Sequence, residues 1–217
     1  MSKERKFSRR GFNSNTIVFL IAFAVDGVDK SVSGPIEIKD LGSNTDIALE
    51  VDTISSFIKK NSQIFQILSP NGIAIYKNKE FTPDRGILKA FSFNKEITLI
   101  MGANFHPGAP IEGPESQIYK TQEEYLEWIL YHELGHLFSE KFNRNNPIPE
   151  SFSLTGQRRP IFVWDIHENS IEETFADYFA TYFTNPSLLS ENEQRYFMEI
   201  EKSITEEPFP PQNLYLG

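Results

Sequence analysis

Apolar residues recur every three or four positions through "DIALEVDTISSFIKKN", so Ile47, Val51, Ile54, Phe57 and Ile58 fall on one side of a helix. Asp46 is placed to cap its start and Asn61 lies near its end. The pattern changes to alternation in "PIEIKDLG", where Ile36 and Ile38 sit between charged residues, predicting a short strand with Gly42 and Asn44 in the turn after it. "GIAIYKNK" and "ITLIMGA" read as two further strands. Helical spacing returns after Thr121, which with Glu124 forms a capping-box signature. There Leu126, Leu130, Leu134 and Leu137 make a stripe for the core, and Tyr125, Ile129, His132 and His136 make a neighbouring stripe facing a cleft. In "NSIEETFADYFATYFTNP" the residues Ile171, Phe175, Tyr178, Phe179 and Tyr182 give an apolar helix face, and Pro186 marks its end. Between Met101 and Thr121 lies a Gly- and Pro-dense stretch, "GANFHPGAPIEGPESQIYK", expected to be a long loop on one rim of the cleft. Strands followed by helices predict an α+β fold with a small sheet against these helices.

The N-terminus breaks the pattern. Lys3, Arg5, Lys6, Arg9 and Arg10 precede the uncharged run "TIVFLIAFA", which ends in Ala22-Phe23-Ala24. Basic, then apolar, then small-x-small is the order of a secretory leader, expected over residues 1–24, and the run is too short to span a bilayer. The same run, from Ile17 to Val25, also fits a strand. A polar arm over residues 25–34 would follow, and then a single domain over residues 35–217. With 217 residues, 39% of them hydrophobic, the chain can bury one sizeable core. A formal charge of −9 argues against a nucleic-acid groove. The absence of Cys removes thiolate ligands and cysteine nucleophiles, so any metal must be held by His and carboxylate.

That restriction bears on "YHELGH", residues 131–136, which holds two of the chain's four histidines. On a helix His132 and His136 share a face and can point two imidazoles at one zinc ion, with Glu133 beside it to take a proton from water. Ordinary helical histidines also occur at this spacing, but the adjacent glutamate and Gly135 within a strong helix make the pattern more specific. A catalytic zinc needs a third protein ligand. The extended motif HExxHxxGxxH is excluded, because Ser139 and Phe142 stand at its Gly and last His positions. His106 and His167 remain, yet neither lies on a strongly helical stretch, and a carboxylate is the better candidate. On the second helix Glu173, Ala176, Asp177 and Ala180 share a side, where small alanines would let the helices approach, bringing Glu173 to the metal and Asp177 behind it to hold a histidine ring. Glu172 is the neighbouring candidate, and Glu173 could instead close a capping box with Ser170.

"HELGH" followed about forty residues later by "EETFADYFATYFTN" resembles the lethal-factor-like zinc metallopeptidases, a group that includes the secreted Pro-Pro endopeptidases. The resemblance covers roughly residues 35 to 200 and implies a compact zincin-like catalytic domain of the gluzincin type. It implies His132, His136 and Glu173 as zinc ligands, Glu133 as general base and Asp177 behind the ligands. That family places a transition-state-stabilising tyrosine seven residues before the ligand glutamate, where this chain has Ile166; His167 or Trp164 would substitute, His167 being the better donor to an oxyanion. The cytosolic ImmA/IrrE-like peptidases are a second resemblance, sharing HExxH and a helix matching Glu173, Ala176, Phe179, Ala180 and Pro186. The leader favours the first. The expectation is a secreted bacterial zinc endopeptidase, monomeric, acting on a protein or peptide, with no nucleic-acid partner and no stable membrane anchor. The alternatives are a cytoplasmic regulator-cleaving peptidase and a zinc-binding module that has lost catalysis. No residue carries over a Pro-Pro cleavage preference.

Overall fold

Local pattern becomes a two-layer arrangement in a computed structural model that describes residues 17–21, 36–40, 47–68, 72–78, 87–93, 95–102, 104–111, 116, 118–142 and 171–205. The basic flank of the leader, the 25–34 arm, Trp164, Ile166 and His167 lie outside them. The elements run β1 (Ile17–Ile21), β2 (Ile36–Asp40), α1 (Ala48–Lys60), α2 (Ser62–Leu68), β3 (Ile73–Asn78), β4 (Ile87–Phe93), β5 (Glu96–Gly102), α3 (Gln122–Phe142), α4 (Ile171–Thr184) and α5 (Glu191–Thr205). The fold is α+β, as the sequence predicts.

The strands form one mixed sheet in the order β1-β2-β3-β5-β4, with β2, β3 and β5 parallel and β1 and β4 antiparallel at the edges. The apolar run read as a leader core contributes β1, the strand that its composition also allowed. In β5 the alternation is clear: Ile97, Leu99 and Met101 are fully buried, while Thr98 and Ile100 are half-buried. Ile73 and Ile75 of β3 stand opposite Ile97 and Leu99 and continue the same apolar surface.

Helices cover that surface. α1 begins at Ala48 with Ile47 as its N-cap, one residue later than the Asp46 cap predicted, and Ile47 offers no side-chain capping bond. Ile54 and Ile58 are fully buried on the α1 face read from the sequence. Glu50 of α1, itself buried, pairs with Lys77 of β3 at 2.6 Å, a tie between helix and sheet. The Thr121 cap at the start of α3 is present, with Glu124 N–H donating to Thr121 Oγ1 at 3.2 Å, but the Glu124 carboxylate reaches one residue further back, accepting from Lys120 N–H at 2.6 Å instead of from Thr121.

α3 departs from the two-stripe expectation. Tyr125 and Ile129 are buried along with Leu126 and Leu130, so the helix is enclosed on most of its circumference by the sheet, α1, α2 and α4. A helix with apolar residues buried on more than one side belongs in the centre of a fold. Tyr131, beside the first motif histidine, donates its hydroxyl to Asn61 Oδ1 at 2.5 Å and fixes α3 to the end of α1.

The loop between β5 and α3 is tied down where it is described. His106 N–H donates to Gln122 Oε1 at 2.9 Å, Gln122 N–H to Ala109 O at 2.9 Å, and Pro110 bridges Thr121. These bonds hold it to the first turn of α3, which at 1.5 Å per residue lies about 15 Å along the axis from His132.

Candidate metal centre

Two helices bring the site together, and small residues decide how closely. A Cβ added to Gly135 would lie 2.9 Å from Ala176 Cα and 3.2 Å from Phe179 Cβ. Glycine inside a helix costs roughly 1 kcal/mol relative to alanine, so its presence here marks the close approach of backbones rather than a break. Ala176 and Ala180 are fully buried at the crossing, on the side of α4 that the sequence assigned to contact.

The approach puts Glu173 of α4 across from both histidines of α3. Glu173 Oε2 is 3.2 Å from His132 Nε2 and 3.4 Å from His136 Nε2, and the two ring nitrogens are 3.0 Å apart. A tetrahedral ion with the ~2.0–2.1 Å bonds of zinc spaces its ligand atoms about 3.3–3.4 Å apart. The three donor atoms therefore fit one such cation, and among the described residues they are the group that could hold a metal ion. His106, on the loop, is exposed and does not join them. Glu172, the neighbouring carboxylate, is exposed as well.

On the far side of the His132 ring, Nδ1 lies 2.9 Å from Asp177 Oδ1, although the N–H is not directed straight along that line. Asp177 is 4% exposed, one turn beyond Glu173 on α4. A carboxylate at Nδ1 fixes the ring and leaves Nε2 for the cation, the arrangement that commonly steadies metal-bound histidines. Trp128, one turn before His132 on α3, closes another side with ring centroids 5.2 Å apart.

Burial and charge pull the titrations in different directions. For His132, burial lowers the pKa, but Asp177 and Glu173 overcome that effect and hold it well above the ordinary value, at about 10. Hydrogen bonds from His132 and His136 hold Glu173 far below the usual carboxylate range. Asp177 is raised because burial outweighs the His132 ring beside it. Burial also raises Glu133, against the lowering effect of His132, His136 and a hydrogen bond from Ser92. Glu133, next in sequence to His132, is 4% exposed and its Oε2 has no hydrogen-bond partner.

The sequence thus named the residues that the fold brings together: His132, His136 and Glu173, with Glu133 and Asp177 against them. It missed Ser92 and Trp128. Ser92 carries no sequence signal, because its contact depends on strand register; Trp128 is i−4 from His132 and could have been read from helix spacing. No family model matches the chain, and no curated protein matches it either. The triad is consistent with a zincin-like site on the residues alone.

Proposed function

We propose that the chain is a zinc-dependent endopeptidase that hydrolyses peptide bonds, related in kind to the lethal-factor-like metallopeptidases. The observation that carries this reading is the convergence of His132 Nε2, His136 Nε2 and Glu173 Oε2 beside a buried carboxylate with an unpaired oxygen. With two imidazoles, one carboxylate and no thiolate, the donor set suits zinc, and three protein ligands leave a coordination position open. A zinc ion bound there supplies Lewis acidity, polarising a carbonyl and making water more acidic.

The chain's own residues then do the following. Glu133 takes a proton as the water oxygen bonds to the carbonyl carbon, and returns it to the amide nitrogen as the C–N bond breaks, giving a carboxylate and an amine. A carboxylate whose pKa is raised by burial is a stronger base than an exposed one, which favours this role. Asp177 keeps the His132 ring in place. His167 is assigned the oxyanion, in place of the tyrosine for which this chain has Ile166. A peptide substrate is favoured because β4, which reaches Glu133 through Ser92, is an edge strand, and an extended chain can add to such an edge through backbone hydrogen bonds.

The test is zinc content by elemental analysis beside cleavage of a mixed peptide library, with wild type, Glu133→Ala and a chelator. Bound zinc, cleavage abolished by the chelator, and a Glu133→Ala protein that keeps zinc but does not cut are the expected results. Zinc without any cleavage by wild type would replace the reading with a module that has lost catalysis, which Ile166 favours. No zinc at all would end both.

We also propose secretion through residues 1–24. No helix among the described residues is long and apolar enough to cross a membrane. Cleavage after Ala24 would remove β1 from the sheet, so the N-terminal mass of the native protein decides: a start at Val25 supports secretion, and an intact Met1 favours the cytoplasmic alternative.

A further inference from the structure

A hydroxyl stands on the face of β4 where its strand neighbours are apolar. Ser92 lies opposite Ile97, and Ala90 opposite Leu99, in the antiparallel pairing of β4 with β5. Directly opposed residues share a face of the sheet, and Ile97 and Leu99 are fully buried, so Ser92 is turned toward the helical layer. α3 packs against β4 there, which brings the Ser92 hydroxyl up to the Glu133 carboxylate. The two ends of the site therefore come from different layers. α3 and α4 supply the cation ligands, while the sheet edge supplies a contact to the proposed base.

That contact addresses a specific difficulty. Glu133 is an almost completely buried carboxylate with one oxygen unpaired, and a buried acceptor without a partner is costly and poorly fixed. A serine hydroxyl on a strand is a rigid anchor, since the backbone carrying it is held by the β4–β5 ladder.

We propose that Ser92 is a positioning residue: its hydroxyl donates to the Glu133 carboxylate and fixes the direction in which the carboxylate accepts a proton. The proposal rests on the metal-site reading above. It does not require the substrate to be known.

The experiment titrates the zinc-loaded protein with acetohydroxamate by calorimetry. A hydroxamate chelates a metal through two oxygens, and its proton is accepted by a carboxylate beside the ion, so its affinity reports how well Glu133 is placed. Ser92→Ala should weaken binding roughly tenfold, the effect of losing one hydrogen bond to a charged group, with zinc affinity unchanged. Ser92→Thr keeps the hydroxyl and should stay within about twofold of wild type. Ser92→Cys, close in size but a weak donor, should follow Ser92→Ala and separates the hydrogen bond from packing should the alanine protein fail to fold. In Glu133→Gln the further change Ser92→Ala should add little, because the carboxylate that accepts the hydroxamate proton is already gone. Unchanged hydroxamate affinity in Ser92→Ala and Ser92→Cys, or a loss that adds in full to that of Glu133→Gln, would overturn the proposal. A wild type that binds no zinc overturns it together with the metal site; one that binds zinc and hydroxamate but cuts no peptide overturns the peptidase reading alone.

Discussion

Gly135 and Ala176 meet where α3 crosses α4, with no room between them for a methyl group: a Cβ on Gly135 would come within 2.9 Å of Ala176 Cα. The opposing atom is backbone, so no rotamer change relieves the contact. The glycine of "HELGH" therefore does a spatial job rather than a conformational one, and that job is to set the distance across which Glu173 reaches the histidines.

Gly135→Ala is expected to have two measurable effects. Overpacking at a buried crossing costs about 1–3 kcal/mol, partly offset by roughly 1 kcal/mol of improved helix propensity, so thermal denaturation should show only a modest fall in stability. Zinc affinity should fall more clearly, because the helices must separate by several tenths of an ångström and the carboxylate is carried away from both imidazoles. Equal zinc affinity in wild type and Gly135→Ala would show that the crossing does not control the ligand triangle.

The choice between Glu173 and Glu172 yields a sharper contrast. Glu173→Ala removes one of three donors and is expected to lower zinc affinity by roughly a hundredfold or more, exceeding the ~10-fold lower bound seen for outer partners of metal ligands. Glu172→Ala, at an exposed position, should leave it unchanged. Competition with a chromophoric chelator measures both. Loss of zinc from the second variant and not the first would move the third ligand by one residue.

α3 and α4 are legible in the amino-acid sequence because their signals are local. A capping signature at Thr121 and Glu124, apolar residues at helical spacing and alanines beside Glu173 each act within one or two turns. What the sequence hides depends on partners distant along the chain. β4 escapes because a register shift between Ile87 and Lys89 breaks the alternation and because Ala90 and Ser92, not large apolar residues, occupy its inward positions. The Ser92–Glu133 contact exists only once that register is set. α5 is a different case, because its signals are local and open to the sequence: Phe197 and Ile200, three residues apart, share one buried face among polar neighbours, and Ser190 and Glu193 form a capping box at its start.

Asp177→Asn tests the outer support of the ligands. The amide is nearly the same size, so packing around this buried position should hold, but the charge facing His132 Nδ1 is lost. Zinc affinity is expected to fall about 10–100-fold, less than for Glu173→Ala. A measured loss equal to that of Glu173→Ala would place Asp177 among the ligands themselves.

Proton linkage provides the last prediction, and its sign follows from which state holds the proton. In the metal-free protein His132 is raised to about 10 by Asp177 and Glu173, so near pH 7 its ring is protonated. Glu173, held far below the usual carboxylate range, is already ionised there and brings no proton to be displaced. A metal ligand must be deprotonated, so zinc uptake at pH 7 should release a proton from His132, and apparent affinity should rise with pH up to the raised pKa rather than level off near 6.5. Calorimetry in buffers of different ionisation enthalpy counts the protons released. Asp177→Asn removes one cause of the raised pKa and should reduce the release at pH 7; a count of zero in the wild type would mean that the His132 ring is neutral before the ion arrives.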